Sequence, residues 1–503
     1  MSFRVKKKVN GATYIYESKG YWDKEKQQSR HKRTYLGKLN EGTGEIIPPK
    51  QADTPKFSKI YGNFYLFNNL AEKTGLAEIL KSVFPEKHNE ILTCAFYELV
   101  EKKAWYLLEE WSEETINFCE RNLTSQKISD LLKSISEESK IEFFTNWGRM
   151  RTEQECIAFD ITSISSYSNL IEIVENGYNR DGEDLSQINL GMLFGETSLM
   201  PIFYTVYPGS IKDVKTISNM LKLAEFLKLS KMKFVLDKGF FSTNNIDEIL
   251  TDKNNYQFTL AVPFSTSFAK DAVSLVKDEI NSPINTIMVN SDIIQAVTKN
   301  QKWKNKKLYV HTYFNRKKYA IEESEFLKKI LQWEQELKTE NTLKSNENNY
   351  KKYFITKKTQ KGTNVKRKEE AILETLKNKG FLVILSNNIK TAQEALSVYR
   401  NKDVVEKAFD NMKNELDLDR LRIHSEKAMD GRIFIAFIAL IIQSQIHKVM
   451  KEKGLYKNYT VEKLLSELKK IKKFELSSGK TMLSEISKKQ RDIFKAFEIT
   501  EPK

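Results

Sequence analysis

Apolar and polar residues alternate through CIAFDIT, which puts Ile157, Phe159 and Ile161 on one side of an extended strand and Ala158, Asp160 and Thr162 on the other. INLGMLFG and LMPIFYTVYPG read as two further strands, joined in a hairpin at ETS. KFVLDKGFFS predicts a strand that ends at Asp237 and a glycine turn, and YQFTLAV predicts another. Between these stretches the apolar period lengthens to three and four, so DVKTISNMLKLAEFLKL and TNNIDEILTD predict amphipathic helices. A strand at GFLVILSN and a buried helix at RIFIAFIALIIQSQI follow later in the chain.

The same patterns divide the rest. Residues 1–50 carry β-branched and aromatic residues between turn signals and predict a small β unit; Pro48, Pro49 and Pro55 mark a linker. Residues 56–150 are helical by period, with helices expected over LFNNLAEKTGLAEILKSVF, ILTCAFYELVEKKAWYLLEEW and TSQKISDLLKSI. The last of these is weakly similar to the start of a helix-turn-helix reader, although an ordinary packed helix is the better account of it. Three antiparallel strands followed by alternating helices and strands give an α/β fold class: a ribonuclease-H-like catalytic core over 151–263, resumed over 379–460. A β-rich insertion is expected to interrupt it over 264–378, and a Lys-rich helical tail to close it over 461–503.

Charge sharpens this picture. The chain of 503 residues carries 82 Lys and Arg against 67 Asp and Glu, a net charge of +15. Such an excess favours a polyanionic partner, nucleic acid first. Only fourteen of the cations are Arg, so a general lysine bias accounts for part of the total. Placement is more informative: Met1–Lys38 holds eleven Lys and Arg against three Asp and Glu, interleaved with aromatic residues. A DNA-contacting module is expected there. Cys94, Cys119 and Cys156 have no Cys-x-x-Cys spacing, which argues against a disulfide framework or zinc site and fits a reducing cytoplasm. MSFRVKKKVNG has no apolar core of a signal peptide, and the longest apolar run, Ile433–Ile442, is ten residues. A soluble, cytoplasmic protein without a membrane partner is expected. The five histidines, including His424, are scattered, and no Walker A motif announces a nucleotide cofactor.

The chemistry concentrates in three places. Asp160 lies within a core strand, where a carboxylate is costly unless paired or bound to metal. Asp237 ends a strand at a loop, a common place for catalytic groups on α/β sheets. VYRNKDVVEKAFDNMKNEL predicts one helix, with Val405, Ala408, Phe409, Met412 and Leu416 on its buried face and Tyr399, Lys402, Glu406 and Lys413 on an adjoining polar stripe. Taken alone that stripe reads first as a solvated surface with an i,i+4 Lys–Glu pair. Three carboxylates brought together would suit two Mg²⁺ ions, which prefer oxygen ligands.

AFDITSISSYS, LDKGFFSTNNI and the Tyr-x2-Lys-x3-Glu-x6-Lys stretch resemble the three catalytic blocks of bacterial DDE-type insertion-sequence transposases. The spacing around the glutamate is similar to the signature of the insertion-sequence-four superfamily, and TYIYES…WDKEKQQSRHKRTYLGKL resembles its sixteen-thirty-four branch. The resemblance implies Asp160, Asp237 and Glu406 as catalytic metal ligands for Mg²⁺, with Mn²⁺ able to substitute. It implies Tyr399, Lys402 and Lys413 as contacts to DNA ends, with lysine at 402 where the family's signature has arginine. A lysine keeps that charge but not the bidentate fork for phosphate. Trp303, among the basic residues of KWKNKKLYVHTYFNRKK, could stack on an unpaired base, or simply belong to a hairpin core. The implied function is cleavage at element ends and strand transfer into target DNA, by a homodimer acting on terminal inverted repeats of double-stranded DNA. A DNA-binding regulator that no longer cuts, and a ribonuclease-H-like nuclease that cuts without joining, remain the alternatives.

Overall fold

The computed structural model describes residues 2–49, 54–119, 122–150, 156–226, 232–289, 291–359, 362–414, 416, 418, 420–423 and 425–503. The expected linker and the boundary at 151 fall partly outside these residues, as does His424. The chain forms two units, one of residues 1–59 with 471–485 and one of residues 60–470 with 486–503.

The first unit opens with β1 (Ser2–Val9), β2 (Ala12–Asp23), β3 (Gln28–Leu39) and β4 (Ile46–Ile47), an antiparallel sheet in that order. Asn10 and Gly11, both at positive φ, close the first hairpin as an Asn-Gly pair does. β5 (Pro55–Ile60) belongs to a second sheet, completed from the far end of the chain.

The helical segment contains α1 (Gly62–Lys73), α2 (Leu76–Val83), α3 (His88–Glu101), α4 (Leu108–Glu114), α5 (Ser125–Ser134) and α6 (Glu137–Arg149). The single helix expected over ILTCAFYELVEKKAWYLLEEW is broken, because Lys102 adopts the left-handed conformation at φ 50° and ends α3. Thr124 caps α5 by accepting from the Lys127 amide, and α5 buries Ile128, Leu131 and Leu132.

The central elements are β6 (Cys156–Ser166), β7 (Gln187–Gly195), β8 (Pro201–Pro208), α7 (Thr216–Phe226), β9 (Lys233–Leu236), α8 (Thr243–Thr251) and β10 (Gln257–Ala261). They continue with α9 (Ser267–Val276), β11 (Thr286–Val289), β12 (Asp292–Trp303) and β13 (Lys306–Phe314). Then come α10 (Arg316–Lys338), α11 (Glu347–Tyr353), β14 (Phe354–Thr359), β15 (Gly362–Arg367), α12 (Glu369–Leu376) and β16 (Phe381–Ser386). After these come α13 (Ala392–Asn401), α14 (Asp403–Asn414), β17 (Arg420–Leu421) and α15 (Glu426–Glu452). The chain closes with α16 (Val461–Leu468), β18 (Lys472–Leu476), β19 (Thr481–Leu483) and α17 (Lys488–Ala496).

One mixed sheet organises the second unit, in the order β11-β12-β13-β16-β10-β9-β6-β7-β8 with β17 also on β6. β9 runs parallel to β6 and β10 parallel to β9, whereas β7 and β8 are antiparallel neighbours. The insertion is therefore not one appendage. Its strands β11 to β13 extend the main sheet, and only the part from α10 to α12 has its own core, where Phe326, Ile330, Trp333 and Leu337 of α10 meet Tyr350, Tyr353, Phe354 and Ile372. The closing tail is also less helical than expected: β18 and β19 form a hairpin that pairs with β5 in the first unit.

α15 is long and apolar enough to cross a membrane by composition alone, yet every residue of Ile433–Ile442 is at most 1% exposed within the protein. It packs against α3, α5, α14 and β8 and acts as a core helix.

His311 sits fully buried on β13, its Nε2 donating to the Ile389 carbonyl at 3.2 Å and its Nδ1 accepting from Thr298 Oγ1 at 2.9 Å. Burial depresses its pKa from 6.5 to about 4. The unfolded chain thus takes up a proton at a pH where the folded chain does not, so stability falls as pH drops from 6.5 towards 4. A His311→Gln protein is expected to lose part of this acid limb, read as a flatter plot of melting temperature against pH; an unchanged limb would place the acid sensitivity elsewhere.

Candidate functional site

The β6–β9 ladder brings the two aspartates together. Its parallel register runs Cys156↔Lys233, Ile157↔Phe234, Ala158↔Val235 and Phe159↔Leu236. Asp160 and Asp237 are the next residues on the two strands, and in-register neighbours of a parallel pair present their side chains to the same side. β9 ends there, because Asp237 turns the chain into a short 3-10 turn over Lys238–Phe240. β6 continues past Asp160, paired on its other side with β7 at Met192.

The helix expected over Val398–Leu416 is two helices. α13 ends at Asn401 and α14 begins at Asp403, with Lys402 between them in a helical conformation. Its amide bonds back to the Tyr399 carbonyl at 3.3 Å, a tighter turn than the helix on either side. The expected apolar stripe is buried throughout: Val405, Ala408, Phe409, Met412 and Leu416 are all inside. α13 packs on the sheet from β9 to β13, and α14 packs on β6, β7 and α15.

This placement carries the polar stripe to the aspartates. Tyr399 Oη donates to Asp237 Oδ1 at 2.8 Å. Lys402 Nζ forms an ion pair with Glu406 and stands 4.0 Å from Asp237 Oδ1. Lys402 is only 8% exposed, although the Glu406 side chain is 52% exposed, so the fold encloses the ammonium while the carboxylate still faces solvent. Arg400, two residues before Lys402, instead bonds to the Val289 carbonyl and Asp292, both at 3.1 Å, and holds the β11–β12 turn.

Electrostatics bind the group together. Burial pushes Asp160 up to about 6; the Ile161 amide that its Oδ1 accepts, and the charge of Lys402, pull the other way, while Asp237 adds to the rise. Burial also raises Tyr399, as does the carboxylate of Asp237 to which it donates. For Lys402, burial opposes the charge, but the bond to Glu406 and the charges of Asp237, Glu406 and Asp160 outweigh it and its pKa is raised.

Two expected site residues stand apart. Lys413 bonds to Asp181 Oδ2 at 2.6 Å, in the connection between β6 and β7. Trp303 donates from Nε1 to Asp247 Oδ1 at 2.8 Å and lies 6.0 Å from the Phe268 ring, which is itself 5.9 Å from Phe241 in the turn after Asp237. Trp303 is thus one ring removed from the Asp237 turn and does not contact the carboxylates.

Arg180 is a residue that the sequence reading missed. It pairs with Asp213, and its Nη1 donates to Ser163 Oγ at 3.3 Å and Asn189 Oδ1 at 3.4 Å. Its charge lowers the Asp160 pKa. Asp213 also lies close to Gly239, where a Cβ would stand 3.0 Å from Asp213 Oδ2. The available signal was an arginine within NRDGED, in a chain whose cations are mostly lysine.

Among the described residues, no three His, Cys, Asp or Glu side chains stand close enough as placed to hold an ion. The oxygens are nevertheless of the kind a hard divalent cation takes, carboxylates on elements that already converge, and the Lys402 ammonium now standing among them would have to leave Glu406 for an ion to bind there.

Residues 151–442, well over half of the chain, match the family described as Transposase DDE domain. No curated protein matches the chain. Among solved structures, the chain is similar to a piggyBac transposase synaptic complex with hairpin DNA, at 10% identity and a TM-score of 0.35, over 81% of this chain and 70% of that one. By the extent of the family match, the chain belongs to the transposases with a DDE domain.

Proposed function

We propose that the chain is a cut-and-paste transposase of a bacterial insertion sequence, in the insertion-sequence-four superfamily, with Asp160, Asp237 and Glu406 as its catalytic carboxylates. The observation that carries this reading is the register of β6 and β9, which sets Asp160 beside Asp237, together with the Tyr399 and Lys402 contacts that tie Asp237 to the Glu406 helix. A ribonuclease-H-like core is supported by the five strands β8-β7-β6-β9-β10, with β9 parallel to β6 and β10 parallel to β9.

Asp160, Asp237 and Glu406 would hold Mg²⁺. When bound, the ions activate the attacking oxygen and stabilise the leaving one in an in-line phosphodiester displacement. In the first reaction water attacks phosphorus and the P–O3′ bond breaks, freeing a 3′-hydroxyl. In the second that hydroxyl attacks a target phosphodiester, forming the new P–O3′ bond and releasing the target's own 3′-hydroxyl. Tyr399 orients the Asp237 carboxylate. Lys402, released from Glu406, would meet a phosphate with its charge, and Lys413 would do so on leaving Asp181. Two element ends must be brought together, which implies a homodimer on DNA.

The test is purified protein with linear DNA carrying the stretch that flanks the gene, and a target plasmid. With Mg²⁺ or Mn²⁺, breaks at one repeated end sequence and joined plasmid products are expected, and EDTA is expected to abolish both. Cutting without joining would identify a nuclease. Binding without cutting in either metal would identify a regulator.

A further inference from the structure

A groove of about 520 Å³ lies between the helical segment and the stretch that joins β17 to α15. Five of its sixteen lining residues are Lys or Arg and none is acidic, in a chain with 82 basic and 67 acidic residues overall. Its wall is apolar and aromatic, with Trp105, Leu132 and Ile423 among its members.

The aromatic wall is braced from behind. Glu98, only 3% exposed, takes both guanidinium nitrogens of Arg432 and accepts from Trp105 Nε1 at 2.9 Å. The Arg432 guanidinium stacks 4.0 Å from the Trp105 ring. One buried carboxylate therefore neutralises Arg432 and fixes the indole. Tyr106, beside it, is 68% exposed. Lys103 and Lys133 also line it, Lys103 sharing the Glu101 carboxylate with Lys469.

The groove abuts the strand that carries Asp160. Arg420 and Leu421 of β17 pair with Ser165 and Ser166 of β6, and Ser165 follows Asp160 by five residues. At about 3.3 Å per residue that is roughly 17 Å, the length of about five stacked nucleotides.

A duplex presents phosphates outward and keeps its bases stacked inside, so it could meet the cations but would leave the apolar hollow empty. An unpaired nucleotide fills both. Its base would lie against an aromatic wall and its phosphates would meet the rim, in a volume of the size that small ligands occupy. We propose that this groove seats an unpaired nucleotide of the DNA strand that enters the carboxylate site, with the base against Trp105 and Tyr106 and the flanking phosphates on Lys103 and Lys133. This rests on the reading of the chain as a DNA-handling enzyme.

The test is fluorescence anisotropy of the full chain in EDTA, with a labelled single-stranded oligo-dT of about twenty nucleotides and a mixed-sequence duplex of equal length, over a salt series. Tyr106→Ala is expected to weaken oligo-dT binding about tenfold without changing the salt slope, and to leave duplex binding within twofold. Tyr106→Phe, which keeps the ring, should bind as wild type. Lys133→Ala should reduce the salt slope on oligo-dT by about 0.7, the loss of one phosphate contact. Wild-type binding of oligo-dT by Tyr106→Ala and Lys133→Ala, or an equal loss on duplex and single strand, overturns the proposal and leaves the carboxylate site standing. If the wild type binds neither DNA, the proposal falls together with the functional reading.

Discussion

Asp160→Asn is expected to lower DNA cleavage by about 10³-fold or more while making the metal-free protein more stable at neutral pH. Asparagine keeps the shape of the side chain but removes the charge, so under the proposed function a divalent cation would lose a ligand. The stability gain follows from burial, which holds the Asp160 carboxyl at about 6 rather than 3.8. A carboxyl whose folded pKa is raised keeps its proton in the folded state at a pH where the unfolded chain has lost it. Stability therefore falls as pH rises from about 4 to 6, and the loss, on the order of 3 kcal/mol, persists above. Denaturation in EDTA at pH 8 should show the asparagine variant as the more stable, with the difference gone by pH 4. Mg²⁺ should raise the wild-type melting temperature more than that of the variant. A variant that cuts normally would remove Asp160 from the site, and one that is no more stable would show that the buried charge is already compensated.

Gly431→Ala is expected to destabilise the protein by about 3 kcal/mol or more, against the usual direction for this exchange. In a helix interior alanine is favoured over glycine by about 1 kcal/mol. Here α5 crosses α15 so closely that a Cβ at 431 would stand 2.2 Å from the Leu132 carbonyl oxygen and 2.7 Å from its Cα. Both are backbone atoms, and α5 cannot simply retreat, because Ile128, Leu131 and Leu132 are buried beside them. A melting temperature lower by about 3 °C or more is the expected reading. A neutral or stabilising result would mean that the two helices are farther apart than described.

Much of the fold was legible because its strands and helices have strong local periods. CIAFDIT, INLGMLFG, KFVLDKGFFS and YQFTLAV became β6, β7, β9 and β10, and the apolar stripe from Val405 to Leu416 is buried as its spacing required. The departures have local or long-range causes. The break at Lys402 carries no glycine or proline, and a lysine gives no sign that it will sit between two helices with its ammonium turned inward. Lys102 adopts a left-handed conformation that lysine rarely takes. The β18–β19 hairpin did have a signal, SSGK with Gly479 at positive φ, but it lay within a lysine-rich stretch that read as helix. The extension of the sheet by β11 to β13 could not be seen at all, since a strand's period says which face is buried and not which strand lies beside it. For the candidate site, spacing placed Tyr399, Lys402 and Glu406 on one stripe. Only the β6–β9 register put Asp237 beside Asp160, and only a loop–strand contact revealed Arg180.

The position of β16 has a consequence for how the chain is made. It inserts between β10 and β13, so β10 has no neighbour on that side until a strand about 120 residues later has been synthesised. At ribosomal rates of 5–20 residues per second that wait is roughly 6–24 s. Throughout it the emerging polypeptide carries QFTLA with one row of amides and carbonyls unmatched, at the edge of β8-β7-β6-β9-β10, while β11 to β13 have no strand through which to join that sheet. Ribosomes stalled between residues 262 and 380 would release chains fixed in that state, so messenger breakage within the stretch coding for the insertion would leave aggregates rather than inactive soluble fragments.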